Sequence, residues 1–90
     1  MLPTISHPTD RPNFTEVEVG NLTIWYSYST PIAFKVAGMP TVVRENDWSN
    51  TTGRHLGYVE RQYGLDRSQR ITGETFESAI EEATNRLIPA

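Results

Sequence analysis

Residues 15–28 read Thr-Glu-Val-Glu-Val-Gly-Asn-Leu-Thr-Ile-Trp-Tyr-Ser-Tyr, and the period of this stretch decides the fold. Glu16, Val17, Glu18 and Val19 alternate polar with apolar. Beyond Gly20-Asn21, Leu22, Ile24, Tyr26 and Tyr28 fall on one face and Thr23, Trp25 and Ser27 on the other. Successive side chains leave a strand on opposite sides, so a period of two marks each run as a strand. Gly20 and Asn21 both tolerate the positive φ of a two-residue hairpin turn, and together the runs predict a β-hairpin.

Outward from the hairpin the pattern continues. Ser29-Thr30-Pro31 breaks the run. Ile32, Phe34 and Val36 then alternate with Ala33, Lys35 and Ala37, predicting a third strand. Gly38-Met39-Pro40 reads as a turn, and Thr41 to Asn46 as a fourth strand with Val42-Val43 at its heart. Past Asn46 the period changes. Leu56, Val59 and Tyr63 recur at helical spacing, so a helix is expected to start after Asn50-Thr51-Thr52, any of which can cap it, and to stop at Gly64. Asp66 to Gln69 reads as a polar linker, with Ile71 returning to the core. A second helix is expected from about Gly73 to Leu87, capped by Thr72, favoured at its start by Glu74 and ended by Pro89. Phe76, Ala79, Ile80, Ala83 and Leu87 form its apolar stripe. The expected fold class is α+β: a meander of about four antiparallel strands followed by two C-terminal helices packed on one face. The other face, carrying Trp25 or the Tyr26/Tyr28 set, is left for solvent or for a second copy, so a homo-oligomer is expected.

Toward the N-terminus, residues 1–13 carry Pro3, Pro8 and Pro12. Prolines lack the N–H that helices and central strands need, so this segment is read as an extended arm or tail, packing on a partner or on its own sheet in the former case. His7 within it is given no role. Residues 14–90 are taken as one domain.

Bulk numbers bound the function. Ninety residues with nine aromatics and 37% hydrophobic content make one small domain, short of core. A net charge of −3 argues against a general polyanion binder, so nucleic acid is not expected as a partner. The absence of cysteine removes disulfides, zinc–thiolate sites and thiol nucleophiles. No apolar run approaches the roughly 18 residues of a membrane span and none follows Met1, so the expectation is a cytosolic chain with no membrane partner.

The segment with most chemistry is Glu45–Tyr58, where strand gives way to helix. A helix start offers free N–H groups to an anion, and Gly53 allows close approach. Thr51, Thr52, Arg54 and His55 add donors of the kind phosphate accepts, Arg44 and Asn46 stand just before, and Trp48 offers a surface for a ring. Tyr28 and Thr30 are expected nearby. There is no Walker pattern and no lysine here. Each residue has a plain structural alternative: Thr51 and Thr52 as caps, Gly53 as a tight bend and Trp48 as a plug for the core. Asp47 and His55 lack a third group for catalysis, and His55, Asp47 and Glu45 are a weak metal set, so neither enzyme activity, a metal nor a cofactor is assigned.

Two stretches also carry a resemblance. Ser27-Tyr28-Ser29-Thr30-Pro31-Ile32-Ala33-Phe34 matches a "SYxTPVAF"-like segment, and Val43 to Leu56 a "VxENxWxxTTGKHLN"-like one. Arg70-Ile71 with Phe76-Glu77 follow a "RIxxxxFExxL" helix. Over roughly residues 16 to 80 the chain resembles a widespread uncharacterised family of small tailed-phage proteins. Arg54 stands where lysine is usual, keeping the charge, and Gly57 where asparagine is usual. The resemblance implies a small accessory protein in the cytoplasm of an infected bacterium, acting against host defence. The resemblance carries no activity of its own; the anion-friendly helix start and Trp48 favour a protein that binds and sequesters a phosphate-containing nucleotide signal through residues 44–55. The alternative is non-catalytic inhibition of a host defence protein through exposed Trp25, Tyr26 and Tyr28 and the acidic last helix.

Overall fold

A computed structural model describes residues 2–87. Five antiparallel strands form one sheet in sequence order: β1 (Thr4–Ser6), β2 (Phe14–Val19), β3 (Leu22–Ser27), β4 (Thr30–Val36) and β5 (Val42–Val43). Helices α1 (Asn50–Tyr63) and α2 (Gly73–Asn85) follow, giving an α+β fold. The hairpin has the expected register, Val19 opposite Leu22 and Glu16 opposite Trp25, with Gly20 at φ 56° in the turn.

The fifth strand comes from the N-terminal arm. Ile5 pairs with Val17, placing β1 at the sheet edge where neighbouring prolines cost no ladder bonds. The expected fourth strand, Thr41–Asn46, shrinks to Val42–Val43. Beyond it Arg44 forms a parallel bridge with Ile71, and Glu45 N–H donates to the Ile71 carbonyl at 2.8 Å. That contact covers the β5 edge with the returning chain.

The largest correction concerns the helices, which lie on opposite faces of the sheet. Trp25, Ala33 and Val43 pack with Leu56 and Val59 of α1, whereas their strand neighbours Ile24, Phe34 and Val42 pack with the Phe76 face of α2. Adjacent residues on a strand point to opposite sides, so these pairs can divide this way only if both sides are covered. A β-bulge enforces the arrangement. Trp25 pairs with Ala33 and Tyr26 with Pro31, so Ile32 is the extra residue and joins Ala33 in the α1-side core. Trp25 is therefore fully buried, its indole N–H donating to Glu16 Oε1 at 2.8 Å, and Tyr26 is half-buried. The sheet face expected to pair two copies is occupied by the chain's own helix.

Local capping follows the residue types with one shift. Ser49, not Asn50, Thr51 or Thr52, caps α1, its hydroxyl accepting from the Thr52 N–H. Gly64 closes α1 in the left-handed conformation, and Thr72 caps α2 as expected. The 66–69 linker is a 3-10 turn with an Asp66/Gln69 capping box. Pro89, expected to end α2, lies outside the described residues.

At the start of α2, a Cβ built on Gly73 would collide with the Arg44 guanidinium. That guanidinium is buried and cannot retreat. It donates to Asp47 Oδ2 at 3.0 Å and stacks 4.4 Å from the Trp48 ring centroid and 5.7 Å from that of Phe76. Gly73→Ala should therefore destabilise the fold by about 1–3 kcal/mol through overpacking. Gly57→Ala, whose Cβ would meet only the mobile end of exposed Arg61, should be neutral or stabilise by up to about 1 kcal/mol through helix propensity. Urea denaturation of both variants checks the contrast.

Candidate functional site

The residues expected to form one site are divided by the first turn of α1. On one side is a pocket of about 370 Å³ between the β3–β4 turn and the start of α1, lined by Tyr28, Thr30, Trp48 and Thr52 together with Ser27 and Ile32. On the other is a groove of about 770 Å³ that takes Asn46 and Arg54. Thr51 is half-buried and lines neither. Arg44 and His55, also expected at the site, are buried and line neither. The Arg44 guanidinium is committed to Asp47, with Glu77 at 3.9 Å, and among the described residues its Nε has no hydrogen-bond partner.

His55 sits inside the core. Its ring stacks on Phe14 at 4.6 Å and 6°, and Nδ1 lies 2.7 Å from Ser27 Oγ, which in turn lies 3.0 Å from Thr52 Oγ1. This chain of polar atoms ties β3 to α1. A hydroxyl beside an imidazole is half of a nucleophile–base pair, but among the described residues the buried Nε2 has no carboxylate or other side-chain hydrogen-bond partner. Burial lowers the His55 pKa, the Arg11 guanidinium lowers it further, and the Pro12 carbonyl opposes them more weakly. A weakened base next to a hydroxyl that is only 2% exposed serves as a tie between elements.

The groove concentrates charge. Arg11, Arg54, Arg61, Arg67 and Arg70 line it, which is five of the chain's eight Lys and Arg residues. Glu60 is the one carboxylate among the lining residues, and it is taken by Arg70 in a two-pronged contact of 2.7 and 2.8 Å. The other four guanidiniums are exposed, and among the described residues none has a carboxylate partner. Gly53 and Gly57 keep this side of α1 low. Glu60 and Asp66, which interrupt the arginines in sequence, do not interrupt them in space: one holds Arg70 and the other caps the 66–69 turn. The spacing of Arg54 and Arg61, seven residues apart on one helix stripe, was the available signal for the groove. Nothing in the sequence pointed to Arg11.

The pocket is different in kind, since none of its lining residues is charged. Tyr28 and Trp48 present exposed rings, at 55% and 49%. Tyr28 has φ 57°, and Ser27 pairs with Thr30, so it occupies the first central position of a two-residue turn, where glycine is favoured. Holding a tyrosine there costs on the order of 1 kcal/mol or more.

The chain belongs to a family described as Family of unknown function (DUF8033), whose profile matches residues 6–78. That match takes in the second half of the Pro-rich arm, which the motif resemblance left out. No curated protein and no solved structure matches the chain. Among the described residues no helix is long and apolar enough to cross a membrane.

Neutral His55 gives a pH dependence of defined sign. Its ordinary pKa is 6.5 and its folded value is lower, so between the two the unfolded chain binds a proton that the fold refuses. Stability should be complete above about pH 7 and fall as pH drops through 6.5 toward the folded value. Denaturation midpoints measured from pH 8 to 5 should show this slope. His55→Gln should be less stable at pH 7.5 but lose most of the slope.

Proposed function

We propose that this protein is a non-catalytic binder that sequesters a phosphate-containing small molecule, with the anionic part held in the arginine groove beside α1. The observation that carries the reading is the set of four groove guanidiniums without carboxylate partners, Arg11, Arg54, Arg61 and Arg67. Guanidinium forks match phosphate oxygens in pairs, and charges of one sign gathered in a concavity raise the local concentration of an anion. A binder needs donors and a surface and no reacting group. The motif resemblance to small tailed-phage proteins supplies the setting: an accessory protein in the cytoplasm of an infected bacterium, withdrawing a nucleotide signal from host defence.

The competing reading, inhibition of a defence protein through Trp25, Tyr26, Tyr28 and the acidic last helix, loses Trp25 to the core, finds Tyr26 half-buried and keeps exposed Tyr28. It predicts no role for the arginines.

Thermal denaturation with a panel of mono-, di- and cyclic nucleotides separates the two. A ligand present at 100 times its dissociation constant should stabilise by about 2.7 kcal/mol, which for a domain this small is upwards of about ten degrees. Arg54→Ala and Arg61→Ala should each weaken binding by about tenfold, the loss of one charge-assisted hydrogen bond. A panel without any shift, or shifts indifferent to both variants, would remove the sequestering reading.

A further inference from the structure

The uncharged pocket on the other side of the α1 first turn does not fit a phosphate. None of its lining residues is a cation, and one of them, Ile32, is fully buried. What it offers is two aromatic rings at the mouth and two hydroxyls within. Ser27 and Thr52 are buried at 2% and 3% exposure, yet both reach the pocket. Each hydroxyl has one proton and two lone pairs, and the contacts they make to one another and to His55 Nδ1 leave capacity on both.

The rings are held in place. The Arg44 guanidinium stacks against Trp48, and Arg44 is itself fixed by Asp47 and by the bridge from β5 to Ile71. That leaves the opposite indole face for a ligand. Tyr28 is held by a turn conformation that tyrosine disfavours, and its N–H donates to the Asn13 carbonyl at 2.7 Å. A side chain kept exposed on a strained backbone beside a cavity marks a place where strain accompanies function. A volume of about 370 Å³ lies near the lower end of the roughly 300–1,000 Å³ seen for small-molecule sites, room for one ring system.

We infer that the pocket between the β3–β4 turn and the start of α1 is a second binding site, taking a planar, uncharged heteroaromatic ring of the nucleobase type. The ring stacks on Trp48 and Tyr28 and presents a hydrogen-bonding edge to the Ser27 and Thr52 hydroxyls. This site stands apart from the arginine groove and holds whether or not the groove binds phosphate.

Phosphate-free ligands test it directly. The protein is titrated with adenosine, guanosine, cytidine and uridine and followed by two-dimensional NMR at the Trp48 indole N–H and the Thr52 amide. At least one nucleoside should give saturable shifts at both probes, with Trp25 unmoved. Trp48→Ala should weaken that binding at least tenfold, read at Thr52. Tyr28→Gly should do the same while keeping or raising the melting temperature, because glycine suits the turn, so loss of binding there is not loss of fold. Pyrophosphate, which has charge and no ring, should leave the pocket probes unmoved. Failure of all four nucleosides to saturate the probes would overturn the inference, as would binding unaffected by both variants or equal movement with pyrophosphate. Each of those results leaves the groove proposal to be decided by its arginine variants.

Discussion

Burial on both faces of β3 and β4 is the constraint from which the rest of the structure follows. A 90-residue chain has little apolar area to spend, and here the sheet is used twice. Leu22, Ile24 and Phe34 serve one core, and Trp25, Ala33 and Val43 the other. Strict alternation would place Ile32 with Phe34, and the bulge at Trp25/Tyr26 moves it to the α1 side instead. With both faces of β3 and β4 covered, the polar groups of the chain are pushed to the ends of strands and the flanks of α1.

The alternation itself was legible in the sequence, and so were the hairpin, the α2 stripe, the stop at Gly64 and the cap at Thr72. The number of covered faces was not. Trp25 and Ser27 form the sparser face of β3, with a tryptophan that amphipathic reasoning assigns as readily to an interface as to a core. The arm was equally opaque, because its prolines mark extended chain without naming its partner. That Thr4–Ser6 adds to β2 depends on long-range pairing.

The burial of Thr52 and His55 has a specific cause on α1. Leu56, Val59 and Tyr63 mark a helical stripe, and extending it one turn toward the N-terminus reaches Thr52 and His55, which are buried with it. Polar residues at those positions read as ligand donors when taken one by one. In the fold both turn toward Ser27, which meets His55 Nδ1 and the Thr52 hydroxyl. Arg44 makes the same point on the other face. A buried cation is tolerated only with partners, and Asp47, Trp48 and Phe76 supply them, so an arginine near a helix start is here a brace for the loop.

What the helix turns away from the core is then informative. Asn50, Gly53, Arg54, Gly57 and Arg61 share the flank that faces the groove, whereas Ser49 and Thr52 face the uncharged pocket. Net charge concealed this division. A total of −3 is compatible with a positive trench because carboxylates other than Glu60 lie outside its lining, four of them, Glu74, Glu77, Glu81 and Glu82, along α2 across the sheet. Composition constrains the total and not the field, and the field is what an anion meets. One turn of α1 thus separates a charged surface from a neutral one, and each selects against the chemistry of the other. Phosphate gains nothing among Ile32, Tyr28 and Trp48, and a bare ring gains little in an open groove lined with hydrated guanidiniums. Two adjoining surfaces of opposite character are what this division of α1 provides.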